Sequence, residues 1–395
     1  MAFVLGRLTM TRNSTFLLAI PVIVMAFCTA LHAEDPTLDA KHVRVYYEPG
    51  RFGGWPANHG IWIWGNEILV GFSRGWYKDL GPERHAIDRE RPEEHLLARS
   101  LDGGETWTIE NPAEKGYLIP EGKSLHGVEL PGVAIKPLAD CPGGIDFTHP
   151  DFAMTLRMNN VDGGQSRFYD SYDRGKNWEG PFRFPNLGTR GVSARTDYIV
   201  DGPAECSVFL TAAKSNGEEG RPFCARTTDG GATWTFLSWI GPEPEEGFAI
   251  MPSTVRLSAN ELYTVVRRRQ GPKRWQLAYL SEDNGLTWRQ MPDPVDTLGE
   301  GNPPSLIKLE DGRLCLTYGY RAKPFSICAR ISADNGKSWS GEIVLRNDGI
   351  DRDIGYCRSV QRPDGKVVTT YYISDPQTKP DRYIGATIWS PPPAP

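Results

Sequence analysis

The chain is expected to be all-β, a six-bladed β-propeller with four-stranded antiparallel blades, on three observations. The pattern Ser/Thr-x-Asp-x-Gly-x-x-Trp occurs five times, opening at Ser100, Ser171, Thr227, Ser281 and Ser332. Between these boxes lies a second repeated unit, a polar or small entry followed by two apolar strands around a turn, and it occurs six times. With 42 Gly, 32 Pro and 12 Trp, the composition supplies the turns and aromatic packing that many short strands require. The box aspartates stand 71, 56, 54 and 51 residues apart, the length of one blade with variable loops.

In chain order, the first segment reads as an export signal. Arg7 and Arg12 precede an apolar stretch from Phe16 to Leu31, and His32-Ala33 leads into Glu34-Asp35-Pro36. Cleavage is expected after Ala33, giving residues 1–33 as signal peptide and a secreted or periplasmic product; a single-span anchor is the alternative. Loss of the two arginines takes the net charge from −5 to −7. With no long Lys/Arg run, nucleic acid is disfavoured as partner. No membrane association is expected after cleavage, and a monomer is expected.

The propeller spans 34–390. Its six units begin at Trp55, His149, Arg195, Met251, Asn302 and Tyr356. Turns such as Asp311-Gly312 and Asp364-Gly365, flanked by alternating apolar residues, mark hairpins. The sixth unit has no box; its later strand is expected at Tyr383 to Trp389, and His42 to Tyr47 would supply the missing edge and close the ring. Residues 391–395, Pro-rich, form a tail.

Each box reads as a turn: Asp and Ser/Thr oxygens bond nearby amides, Gly takes a positive φ, and Trp is buried between units. A single carboxylate per box is too few for calcium, which takes six to eight oxygens. Close-spaced Cys/His pairs for zinc are lacking, so no metal and no cofactor are expected. Of the cysteines beyond the signal, Cys206/Cys224 and Cys315/Cys328 flank hairpin turns and are candidates for disulfides; the equal alternative is six buried thiols.

The boxes and their spacing resemble the sialidase (neuraminidase) superfamily, whose six-bladed propellers carry such Asp-boxes, and the resemblance covers most of the chain past Ala33. It implies an exo-glycosidase acting on a terminal acidic sugar of a glycan. In that family a tyrosine nucleophile is activated by a glutamate, an aspartate is acid/base, and three arginines clamp the substrate carboxylate. Gly355-Tyr356-x-x-Ser359-Val360 resembles the nucleophile motif and implies that role for Tyr356. Leu262 to Arg267 resembles the strand bearing a clamp arginine, Arg267, with Arg268 next in line. Arg74 falls near the first-blade arginine, Asp88 lies where the acid/base loop is expected, and Arg358 is a substitute for a clamp member. Departures are plain: Trp55-Pro56-Ala-Asn58-His59 replaces Arg-Ile-Pro, Met251 stands where the glutamate is expected with Glu245 and Glu246 nearby, and Asn302 takes a place without an arginine.

His59 and His149 open inner strands, and either is a candidate acid/base or a hydrogen-bonded loop histidine. Asp151 belongs to the second-blade His149-Pro150-Asp151 and is a candidate for substrate binding. Tyr318 is another, although packing is the commoner fate of strand tyrosines. Arg267 and Arg269 share a strand face that Arg268 does not. Two other functions fit: a propeller lyase on uronate-containing glycans, using His149 or His59 with a tyrosine, and a glycan-binding propeller without catalysis.

Overall fold

The computed structural model describes residues 38–121 and 135–393; the signal segment lies outside the described residues. Six antiparallel sheets follow one another along the chain as six blades. Blade four is Phe248–Arg256, Leu262–Gln270, Lys273–Ser281 and Arg289–Val295, and blade five is Ser305–Lys308, Leu314–Tyr320, Ser326–Ser332 and Ile343–Arg346. Blade six, Gly355–Gln361, Val367–Ile373 and Tyr383–Trp389, is completed by Ala40–Tyr46, which pairs antiparallel with Tyr383–Trp389. The first strand of the fold thus closes the ring as the outer strand of the last blade, joining the two ends of the described chain in one sheet.

Strand number varies from the expected four. Blade two has three, Ala153–Arg157, Arg167–Ser171 and Glu179–Arg183. Blades one and three have five, because the innermost strand is broken in two. In blade one the break falls between Arg51–Gly54 and Ile61–Trp64. Trp55 there adopts φ 61°, Pro56 opens a helical turn over Pro56–His59, and Gly60 exits at φ 114°. Proline has no amide for a ladder and the two positive φ values reverse the chain, so the segment is a corner rather than a strand.

The boxes share one hydrogen-bond net. Ser100 Oγ donates to Asp102 Oδ1 at 2.8 Å and accepts from Gly104 N at 2.7 Å, while Asp102 also accepts from Thr106 N at 2.9 Å and Thr106 Oγ1 at 2.6 Å. The net recurs around Asp173, Asp229, Asp283 and Asp334. Burial opposes ionisation of Asp102, but these donors hold its pKa down to about 2. The box also joins blades. A Cβ on Gly336, whose φ is +79°, would lie 2.3 Å from the Tyr263 ring of blade four, so only glycine lets that turn lie flat on its neighbour. Asp102→Ala is expected to cost about 1 kcal/mol in urea unfolding, modest because the carboxylate is exposed. Its contribution is present above the ordinary carboxylate pKa and is lost as pH falls toward 2.

The six described cysteines are all unpaired and buried. The register explains it: Cys224 faces Phe209 and Cys206 faces Thr227, while Cys315 faces Ile331 and Cys328 faces Tyr318. Neither expected pair is cross-strand. At the C-terminal end, the Pro392 carbonyl accepts from Arg313 at 2.7 Å, so the start of the tail is held.

Candidate active site

Tyr356 opens the innermost strand of blade six with φ 50°, a left-handed conformation that costs a non-glycine residue free energy. Asn302 of blade five holds it there. Asn302 Oδ1 accepts from Tyr356 N at 2.8 Å, and its Nδ2 donates to Ile354 O at 2.8 Å. Gly355 between them is required, because a Cβ would lie 2.4 Å from Asn302 Nδ2. The strained turn aims the phenol at the axis. Arg267 Nη1 donates to its hydroxyl at 3.3 Å, and the Arg321 guanidinium carbon lies 5.3 Å from its ring centroid.

A histidine–aspartate pair borders the same phenol. His85 Nδ1 is 2.5 Å from Asp353 Oδ1, and the His85 ring packs edge-on to Tyr356 at 5.8 Å. Asp353 also accepts from Tyr372 Oη at 2.5 Å and from Ala86 N at 2.9 Å. Burial lowers the His85 pKa against the pull of Asp353. Burial likewise opposes the Asp353 charge, but His85, then Arg382 and Arg321, outweigh it and hold the carboxyl well below its usual range. Burial thus favours the neutral form of His85 while Asp353 favours the charged one, and Nδ1 is committed to Asp353.

On the other side of Tyr356 lies a cavity lined among others by His59, His95, Glu93, Arg157 and Arg195. His59 Nε2 lies 3.0 Å from Ser73 Oγ, and its Nδ1 meets Arg157 Nη1. His95 stacks edge-on to His59 at 4.6 Å, and its Nε2 is 3.6 Å from Glu93 Oε1. Burial lowers Arg157 to about 9. Glu93 is 1% exposed, and neither of its carboxylate oxygens makes a hydrogen bond.

Of the residues singled out in the sequence, Tyr356, Arg267 and His59 meet in this cleft. Arg74, Asp88, His149, Asp151, Tyr318 and Arg358 do not line it. Arg74 is spent on Glu94 and Glu48. Asp88 pairs with Lys78 at 3.2 Å and caps the Glu90 amide. His149 stacks on Tyr172 at 4.9 Å, and Asp151 pairs with Arg174 at 2.6 Å. Tyr318 is fully buried, its hydroxyl bonded to Glu342 at 2.8 Å. Arg358 points beneath the cleft and donates to the carbonyls of Ala57 at 2.7 Å and Thr196 at 2.5 Å, tying blades six, one and three. Met251, in the place of the expected glutamate, is buried beside it.

Sequence reasoning missed His85, Asp353, Arg321, Glu93 and Arg157. Signals were present for some of them. His85 stands three residues before Asp88, in the loop already suspected, and Asp353 three before Tyr356. Arg157 ends an inner strand, and Arg321 directly follows one.

Comparison with known proteins gives a family and a fold. The model described as "BNR repeat-like domain" matches residues 152–369. No curated protein matches the chain. Among solved structures, a protein of unknown function from Dyadobacter fermentans DSM 18053 is similar at 20% identity and TM-score 0.67, over 89% of this chain and 99% of that one. The NanB sialidase from Streptococcus pneumoniae is similar at 10% identity and TM-score 0.56, over 88% and 68%. Trypanosoma rangeli sialidase, solved with sialic acid, is similar at 12% identity and TM-score 0.52, over 89% of this chain and 59% of its own. At these identities the likeness is one of fold.

Proposed function

The chain belongs to the BNR repeat-like family, and from that premise we propose that it is a glycoside hydrolase that removes a terminal anionic sugar from a glycan. The observation that carries this reading is Tyr356, set between Arg267 and Arg321 and against the His85–Asp353 pair. Two guanidinium groups suit the acidic group of a sugar, and they favour a phenol developing negative charge. A neutral nucleophile also avoids repulsion from that acidic group.

In the first step Tyr356 Oη attacks the anomeric carbon and its proton passes to His85 Nε2. The glycosidic C–O bond breaks, and Glu93 protonates the departing oxygen. In the second step Glu93 takes a proton from water, the water oxygen displaces tyrosine from the anomeric carbon, and His85 returns the proton to Tyr356. Asp353 keeps the His85 ring oriented throughout. Because burial lowers the His85 pKa, the acid limb of kcat/KM is expected below pH 6.5; a limb above that value excludes His85 as the base.

The test is turnover of a panel of aryl glycosides of acidic sugars, sialosides first. A complete lack of turnover, with glycan binding intact, would make the protein a binding propeller. A second reading is favoured by one feature: no described carboxylate hydrogen-bonds the Tyr356 hydroxyl. His85 would then abstract the proton beside an arginine-held uronate carboxylate, and the lyase product would show a new ultraviolet absorbance without uptake of water. The signal-like N-terminus supports action outside the cytoplasm, which N-terminal sequencing of the exported protein tests.

A further inference from the structure

The phenol side of the cleft opens into a groove with a charge that the overall acidic chain does not foreshadow. Arg84, Arg269, Arg274 and Arg352 line it together with Arg267 and Arg321, against two carboxylates, Glu83 and Glu300. His85 and Arg89 line both this groove and the cavity, so the two adjoin beside Tyr356.

The strand register shows how the cluster is built. Leu262–Gln270 pairs with Lys273–Ser281 without a bulge, and Arg269 stands directly opposite Arg274. Like charges at directly opposed positions destabilise a sheet. Arg267 shares their face by alternation, while Arg268 turns away onto Trp275, 5.2 Å from its ring centroid. Arg84, Arg267, Arg269, Arg274 and Arg352 form no ion pair with any described carboxylate. Elsewhere the protein pairs its arginines readily, as with Arg99 between Glu67 and Glu110. Burial, then Arg269, lowers the Arg274 pKa, with Glu300 and Glu83 acting only beyond ion-pair distance. A like-charge cluster beside a reaction centre, whose carboxylate neighbours Glu83 and Glu300 stay beyond ion-pair distance, is a local cost that an anionic ligand would relieve.

We propose that this groove binds further anionic groups, sulfate or carboxylate, on the sugars that follow the reacting one, so that the substrate is a polyanionic glycan. The proposal rests on the function reading only for the position of the reaction. Past Arg269 the surface changes sign, with Asp162, Glu218 and Glu246 around the next depression, so the anionic chain runs toward Arg274 and Arg352 instead. A nucleic acid is disfavoured because the phenyl ring lining the groove, Phe248, is covered by Arg267, whose guanidinium carbon is 5.4 Å from its centroid, and the His85 ring is held by Asp353.

Binding by the full chain tests this, read by fluorescence polarisation with labelled dextran sulfate, oligogalacturonate and neutral dextran of matched length. Both anionic probes are expected to bind at least ~10-fold tighter than neutral dextran, and to lose affinity steeply as salt is raised. The tighter of the two identifies the substituent as sulfate or carboxylate. The variant Arg84→Gln/Arg269→Gln/Arg352→Gln is expected to bind them about 10-fold or more weakly, with unchanged thermal unfolding. If it does not fold, Arg84→Gln/Arg269→Gln, at two exposed positions, carries the same test. Neutral dextran bound equally well, anionic binding unaltered in the folded variant, or single-stranded DNA bound as tightly as the best glycan would each overturn the proposal. Because the readout is binding, absence of turnover on aryl glycosides sinks the hydrolase reading and leaves this result standing.

Discussion

Tyr356→Phe is expected to lower kcat by about 10³-fold or more, equivalent to ~4 kcal/mol of barrier. The change removes one oxygen and nothing else. The ring keeps its packing against His85 and Tyr372, and the strained backbone keeps its Asn302 clamp. Thermal unfolding should therefore stay within a degree or two, which separates a chemical defect from a folding one. Mass spectrometry of the wild-type protein quenched with a slow substrate should show a sugar attached at Tyr356. Turnover within tenfold of wild type would demote Tyr356 to an aromatic wall.

Asp353→Asn should damage both stability and rate. The carboxylate is 1% exposed and answers His85, Arg321 and Arg382 at once. Its loss leaves the buried Arg321 guanidinium without a counter-charge and Arg382 with Asp351 alone, a change of about 3 kcal/mol in chemical unfolding. It also frees the His85 ring, and kcat is expected to fall about 10²-fold. The sign of the pH effect follows from the depressed folded pKa. Wild-type stabilisation from Asp353 is complete above the ordinary carboxylate pKa and disappears as pH falls below it toward the folded value, whereas the Asn variant lacks that acid dependence. A variant as stable as wild type at neutral pH would show that the cluster carries no net stabilisation.

Part of this site was legible because alternation is dependable in an unbroken strand. Arg267 and Arg269 were expected on one face with Arg268 on the other, and the bulge-free pairing of Leu262–Gln270 delivers that. The same rule fails in blade six. Counting by two places Tyr356 and Arg358 on one face, but the register shifts between Gly355 and Arg358, so Tyr356 looks into the cleft while Arg358 lies beneath it. A comparable shift between Ile250 and Ser253, with Met251 at φ 55°, buries Met251. His85 displaced Asp88 for a different reason. Both sit in one loop, and only the position of Asp353, 268 residues away, decides which of them reaches the axis.

The five boxes and the six apolar units between them were enough to establish the number of blades, the box turns and the closing strand, because each box is built by hydrogen bonds within its own octapeptide. Their aspartates are saturated by neighbours no more than four residues away, so the octapeptide carries the whole determinant. The site is the opposite case. Its groups come from blades one, two, three, four, five and six and converge only at the axis, where bulges and left-handed residues set direction. Partners separated by up to several hundred residues choose which histidine, arginine and carboxylate face the substrate, and no local pattern encodes that choice.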